Sequence, residues 1–122
     1  MILLDPKYTK LVVGALDLIR EELDRLYWNK YHKEMNSPFD NSGETYSNDT
    51  FTVKAYDWGN NNDDSPNFNY KNILHVYWYK YAGRGVIAYI NEAYDFNIDL
   101  LADIVNDCIE AMRKDFGEEN DT

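Results

Sequence analysis

The feature that most constrains the fold is a change in the spacing of apolar residues along the chain. In the first third, apolar side chains recur every three or four positions. In the middle they alternate with polar ones, and towards the C-terminus the longer spacing returns. Spacings of three and four indicate one buried face of a helix, whereas alternation indicates a strand with one buried face. The sequence therefore predicts an α+β domain in which strands lie between two helices.

The first helix is predicted to begin at Asp5 and Pro6 and to end near Lys33. An Asp side chain can accept hydrogen bonds from the free amides of the first turn, and proline is tolerated at the first helical position. Gly14 lowers the stability of this helix by about 1 kcal/mol relative to alanine, so we expect a close packing contact there. The apolar stripe consists of Val12, Leu16, Ile19, Leu23 and Leu26, widened by Leu11, Ala15 and Leu18.

Three strands are predicted in the middle of the chain, at residues 51–58, 73–81 and 86–91. Residues 34–49 and 59–70 are rich in Asn, Asp, Ser and Gly and show neither spacing, so both are predicted to be surface loops. Gly83 and Gly85 indicate a tight hairpin between the second and third strands, because glycine readily adopts positive φ. The three strands are thus predicted to form an antiparallel meander.

The last helix is predicted to begin after Asn97, which can cap it, and to end at Gly117. Its apolar stripe consists of Ile98, Leu101, Ile104, Val105, Cys108 and Met112. The predicted order is α-β-β-β-α, with both helices on one face of the sheet. No linker divides the chain, so residues 1–122 are predicted to be a single domain with a frayed acidic tail at 118–122.

The charge of the chain restricts its partners. The 22 acidic and 12 basic side chains give a net charge of -10, and residues 85–122 hold ten acids against two bases. This balance argues against direct binding to nucleic acid and predicts a basic protein partner. No run is apolar enough to span a membrane, no secretory leader is evident, and Cys108 has no second cysteine to pair with. A location in the cytoplasm is therefore expected.

Acidic residues recur every four positions in the last helix and just before it. The row consists of Asp95, Asp99, Asp103 and Asp107, with Glu110 three positions further. Residues four apart lie about 6 Å apart along a helix, so the row is similar to a strand of phosphates in sign and approximately in spacing. It is a candidate partner-binding surface for a protein that normally holds nucleic acid. The alternative is an ordinary solvated face.

Aromatic side chains form the second candidate surface. If both helices cover one sheet face, Tyr56, Trp58, Tyr77 and Tyr79 lie on the other, where such side chains favour protein contacts. The alternative is that the two long loops fold over this face, and a homodimer formed through it also stays open. Arg84, at the expected hairpin tip, is a further candidate for partner binding.

No catalytic or metal-binding pattern is found. The two histidines, His32 and His75, have no second ligand at a suitable spacing, and the Asp- and Asn-rich segment 57–64 does not fit a calcium loop. Nucleotide-binding, hydrolase and metalloprotease motifs are missing as well. We therefore predict no catalytic residue, no metal and no cofactor. A small enzyme with an unrecognised carboxylate site remains an alternative, and it would require a pocket lined by Asp57, His75 and Tyr77.

Three segments in the middle of the chain carry a resemblance. They read Tyr-Asp-Trp-Gly at 56–59, Pro-Asn-Phe-Asn-Tyr-Lys at 66–71 and Trp-Tyr-Lys-Tyr-Ala-Gly-Arg-Gly at 78–85. This part resembles a group of small acidic proteins from phages and prophages of low-GC Gram-positive bacteria. The resemblance implies an inhibitor of host defence, of the anti-CRISPR or a related type, which acts by binding a host nucleic-acid-handling protein. The alternative is an immunity protein or antitoxin that neutralises a basic nuclease or toxin.

Overall fold

A computed structural model describes residues 1–34, 45–54, 66–79 and 85–117, with side chains throughout except at 31–34, 78 and 79. Two helices and six strands occur in these ranges. The helices are α1 (Thr9–Glu34) and α2 (Ile98–Asp115). The strands are β1 (Ile2–Leu3), β2 (Thr45–Ser47), β3 (Phe51–Lys54), β4 (Phe68–Tyr70), β5 (Leu74–Tyr79) and β6 (Gly85–Ile90).

The strands form a single antiparallel sheet in the order β1-β6-β5-β4-β3-β2. Strands β2 to β6 follow one another as a meander, and β1 joins the far edge by pairing Ile2 with Ile90. The α+β prediction is confirmed, but the prediction of a three-stranded meander is wrong. It missed β1, and it assigned β2 and β4 to surface loops.

The missed strands are short and lie among turn-forming residues. Strand β2 has one buried residue, Tyr46, between two exposed ones, and β4 has Phe68 and Tyr70 on either side of Asn69. Such short alternation carries little signal, and long-range pairing supplies what the local sequence lacks. A turn at Lys71 and Asn72, both at positive φ, joins β4 directly to β5.

The predicted ends of the helices are confirmed where the structure describes them. The Asp5 side chain accepts a hydrogen bond from the Lys7 amide, and a 3₁₀ turn at Pro6–Tyr8 leads into α1. The Asn97 side chain accepts a hydrogen bond from the Leu100 amide at 2.8 Å. After α2, Gly117 adopts a φ of +79°, the left-handed conformation typical of a residue that ends a helix.

Both helices pack on one face of the sheet. The space between them is lined by Ile19 of α1, Ile104 of α2 and Phe68 of β4, among others. The core combines residues of both helical stripes with the apolar residues that alternate along the strands, and it includes Val12, Leu16, Ile19, Leu23, Val53, Leu74, Val76, Ala88, Ile90, Leu101, Ile104 and Cys108. Burial of this alternating strand face against two helical stripes is the main stabilising term, at roughly 1.5–3 kcal/mol for each large apolar side chain.

The helices run in the same direction. Near their N-termini, Leu11 and Ile98 line a common groove, and further along Arg113 of α2 bonds to Glu22 of α1. At their C-terminal ends, the Lys30 ammonium lies 5.6 Å from the ring centre of Phe116. The seam between α1 and α2 therefore extends along nearly the whole length of α2.

Candidate protein-binding surface

Three acidic residues point away from the body of the protein along α2. Asp99, Asp103 and Glu110 are exposed, on the side of the helix opposite the buried stripe. No ion pair or hydrogen bond links their side chains to another side chain in the parts of the chain that the structure describes. We call these three residues the acidic face of α2. Asp95 is exposed as well, but it precedes α2 and lies in the segment that leads into it.

Asp107 differs from the other members of the predicted row because it turns towards the sheet. Its carboxylate accepts a hydrogen bond of 2.5 Å from the Tyr70 hydroxyl and lies 3.8 Å from the Lys71 ammonium. Burial of Tyr70 and its bond to this carboxylate raise the pKa of the phenol well above its ordinary value. Asp107 thus holds α2 on the sheet, and its charge is partly neutralised within the molecule.

A second tyrosine fixes the C-terminal end of α2. The hydroxyl of Tyr46, in β2, donates a 2.6 Å hydrogen bond to the Asp115 carboxylate. Burial raises the pKa of Tyr46 to about 12, and the bond to Asp115 adds to that shift. Tyr46 and Tyr70 thus each attach the sheet to α2 through a hydrogen bond, and the sequence analysis identified neither. The available signal was the alternation of aromatic and polar residues around Tyr46 and in Phe68–Tyr70, which is typical of a strand.

The candidate aromatic residues are only partly within the described ranges. Tyr77 is half-buried on the sheet face away from the helices, where its ring meets that of Tyr89 edge-on, with centres 5.8 Å apart. Tyr79 belongs to β5, and its side chain is not described. The other three candidates, Tyr56, Trp58 and Arg84, lie outside the described residues. In the described residues, this face therefore carries the aromatic pair of Tyr77 and Tyr89.

The remaining candidates for chemistry within the described ranges, His75 and Cys108, lie on opposite faces of the sheet. His75 is half-buried on the outer sheet face, and burial lowers its pKa. Cys108 lies in the core, where burial raises the pKa of its thiol. Within the described ranges, no three His, Cys, Asp or Glu side chains stand close enough to hold a metal ion. Asp57, required for the enzyme alternative, lies outside these ranges.

A salt-bridge cluster joins the two helices. The Glu22 carboxylate, only 10 % exposed, accepts hydrogen bonds of 2.6 and 3.1 Å from Arg25 and one of 2.6 Å from Arg113. Hydrogen bonding from Arg25 and then Arg113 outweighs the effect of burial and lowers the pKa of Glu22 to about 2. Glu22 thus provides a buried, charged contact between α1 and α2.

Beside this cluster the seam opens into an apolar groove of about 570 Å³. Its walls include Leu11, Gly14 and Leu18 from α1 and Ile98, Ala102 and Asn106 from α2. Leu11, Leu18 and Ile98, which the sequence placed in buried stripes, are 42, 54 and 65 % exposed. The expected close contact at Gly14 is also wrong, because a methyl group added there would have no atom within 4 Å.

Two further observations concern the helices as possible membrane spans and the similarity of the chain to known proteins. Among the helices described, none is long and apolar enough to cross a membrane. Comparison with family models, with curated proteins and with solved structures finds no match to this chain. The features that bear on function are therefore the acidic face, the groove and the charge of the chain.

Proposed function

We propose that this protein is a non-catalytic inhibitor that binds a basic host protein through the acidic face of α2. The observation that carries the proposal is the exposure of Asp99, Asp103 and Glu110, without side-chain partners among the described residues, on a chain of net charge -10. Like charges four positions apart, such as Asp99 and Asp103, weaken a helix slightly. A cationic partner would relieve this repulsion when it binds, because its charges neutralise the carboxylates. The opposite charges would also raise the rate at which the two proteins associate.

The kind of partner follows from the arrangement of the acids. Two of them, Asp99 and Asp103, are separated by one helical turn, about 6 Å along the axis. A site built from Lys and Arg to hold a phosphate backbone presents charges that such a row can engage. The inhibitor would then block nucleic-acid binding by occupying that site. Together with the resemblance to phage proteins, this makes a defence nuclease, such as a CRISPR effector, the proposed target.

The outer face of the sheet is a second contribution to the proposed interface. Tyr77 and Tyr89 keep part of their surface accessible, and tyrosine adds contact area at a small cost in conformational entropy. This face lies on the opposite side of the sheet from α2, so one partner would have to wrap around an edge to reach both. The acidic face alone is the primary proposed site.

The test begins with identification of the partner. The chain, carrying an affinity tag after Thr122, is expressed in a bacterial host, and co-purified proteins are identified by mass spectrometry. The expected partner is a basic, nucleic-acid-binding protein whose binding weakens as salt rises and which nucleic acid displaces. A toxin encoded beside this chain would instead identify it as an immunity protein.

A matched pair of variants then tests the surface. Asp103→Lys/Glu110→Lys and Asp49→Lys/Glu92→Lys both change the net charge from -10 to -6, and all four positions are exposed. The first pair is expected to weaken binding of the identified partner at least about tenfold, and the second less than about threefold. Equal affinities for the two variants and the parent chain would contradict the proposal.

A further inference from the structure

The groove between α1 and α2 is an apolar surface that the fold leaves uncovered in the described structure. It extends from Leu11 to Leu18 along α1, about two helical turns or 12 Å. Leu18 and Ile98, on opposite walls, expose more than half of their side-chain surface. Clustered apolar exposure of this kind marks interaction sites, whereas isolated exposed apolar residues are common and need no explanation.

Gly14 makes the groove deeper. It is the sixth residue of α1, inside the helix, where glycine costs about 1 kcal/mol of helix stability relative to alanine. No atom lies close enough to exclude a side chain, and Gly14 is not among the described residues with positive φ. Packing and backbone geometry therefore give no reason for glycine at this position. What the missing side chain provides is space along the α1 wall of the groove.

Acidic residues flank the groove on both sides. Residues three apart on a helix are neighbours, and each flanking acid stands three positions from a groove residue. Asp17 follows Gly14 and Glu21 follows Leu18 on α1, while Asp99 precedes Ala102 and Asp103 precedes Asn106 on α2. All four acids are exposed, but Asp17 accepts a 3.1 Å hydrogen bond from Arg20, which neutralises part of its charge. One basic residue, Lys10, is among the side chains that line the groove.

An apolar floor with acidic margins is complementary to one kind of occupant. We infer that the groove binds an amphipathic helix of the partner protein, with apolar residues at i, i+3 or i+4 and i+7 on one side and Lys or Arg at its edges. Two turns of such a helix match the length of the groove, and its apolar side chains would cover Leu11, Leu18 and Ile98. This inference rests on the proposed function and specifies the partner's binding element.

A second copy of this chain fits the groove less well. Two copies meeting at this surface would bring eight groove-flanking carboxylates together, and like charges across an interface cost several kcal/mol. The cluster of Glu22, Arg25 and Arg113 joins the two helices one turn beyond Leu18 along α1, and its charges are satisfied by one another, so it offers little compensation. The charge pattern therefore favours a cationic partner over self-association.

The experiment uses two labelled synthetic peptides in a fluorescence anisotropy assay. One has about four helical turns, with leucines on one side and lysines on the others, and the second has the same composition in scrambled order. Binding is measured with the parent chain and with Gly14→Leu, Glu21→Lys, Asp49→Lys and Asp103→Lys/Glu110→Lys. The patterned peptide should bind at least about tenfold more tightly than the scrambled one.

The variants locate the site. Gly14→Leu fills the groove while leaving every charge in place, and it should weaken binding of the patterned peptide at least about tenfold. Glu21→Lys should weaken it several-fold, whereas Asp49→Lys, which makes the same charge change in the turn between β2 and β3, should not. Thermal unfolding checks that each variant folds. If Gly14→Leu does not fold, Leu18→Ser replaces it as the test of the groove.

Different failures have different meanings. If both peptides bind equally, Gly14→Leu has no effect and Asp103→Lys/Glu110→Lys weakens both, the groove inference is wrong while the acidic face stands. If neither peptide binds, the groove inference is wrong, and the proposed function is judged on the identified partner alone. A dimer that Gly14→Leu converts to monomer would assign the groove to a second copy and overturn the inference.

Discussion

Two sets of carboxylates on the helices are used in opposite ways. Glu22, Asp107 and Asp115 each bond to side chains of another element and hold α1, α2 and the sheet together. Asp99, Asp103 and Glu110 belong to the same helix as two of these acids, yet no partner reaches them in the described structure. A rotation of a few tens of degrees around the axis of α2 separates a structural acid from one available for binding.

The largest effect that would sharpen this contrast is expected from Asp107→Ala. It leaves the Tyr70 hydroxyl buried without its acceptor and removes the partner of Lys71, so the free energy of unfolding should fall by about 2–3 kcal/mol. The matched control, Asp103→Ala, should change it by less than about 0.5 kcal/mol. Urea denaturation measures both, and equal losses would remove the distinction between the two sets.

The next largest effect on stability is expected from Glu22, and it should depend on pH. Glu22→Gln is expected to cost about 2 kcal/mol at neutral pH, because two arginines lose a charged acceptor. The folded-state pKa, about 2, is below the ordinary 4.5, so this stabilisation is complete above pH 4.5 and is lost as pH falls towards 2. Denaturation midpoints of the parent and the variant should therefore converge over that range. A gap that is independent of pH would contradict the assigned role.

Tyr46 gives a smaller effect at the alkaline end. Tyr46→Phe should cost about 1 kcal/mol at pH 8 through loss of the bond to Asp115. The folded-state pKa of about 12 is above the ordinary 10, so this contribution is complete below pH 10 and is lost as pH rises towards 12. The difference in unfolding free energy between parent and variant should shrink across that interval. If this difference is unchanged at pH 12, folding does not raise the pKa of Tyr46, and Asp115 does not oppose ionisation of the phenol.

The smallest expected effect concerns the acidic face itself. Asp103→Asn removes repulsion from Asp99, one turn away, and should stabilise the protein by about 0.2–0.5 kcal/mol at low salt. The gain should disappear in about 1 M salt, where screening is nearly complete at this distance. Thermal unfolding at two salt concentrations measures the change. Destabilisation by this substitution would mean that Asp103 has a structural partner and belongs with the other set of acids.

Much of the fold could be predicted because its signals are local and repeated. The stripes of α1 and α2 extend over several turns, and Asn97 and Gly117 mark ends that follow from helix geometry. The short strands could not be found in this way. Tyr46, Phe68 and Tyr70 are buried through pairing with strands elsewhere in the chain, and a segment of three residues does not carry that information.

The site shows the same limit in another form. The spacing of Asp99, Asp103 and Asp107 gives their positions along the helix, but it does not show which of them the sheet reaches. That depends on Tyr70 and Lys71, some thirty-five positions earlier, and so on the register of β4. Likewise, the stripe of α1 is wider than the sheet can cover, and the sequence alone does not indicate that Leu11 and Leu18 form the uncovered margin.

The pairing of β1 with β6 has a consequence for the order of assembly. Ile2 and Ile90 are neighbours in the sheet, and the Leu4 amide donates a hydrogen bond to the Ala88 carbonyl. Among the described strands β1 comes first and β6 last along the chain, so β1 cannot take its place in the sheet until β6 has been synthesised. Closure over so long a separation is entropically costly and slow. Until then, the sheet that covers the apolar stripe of α1 is incomplete, and the uncovered apolar residues favour association with other chains.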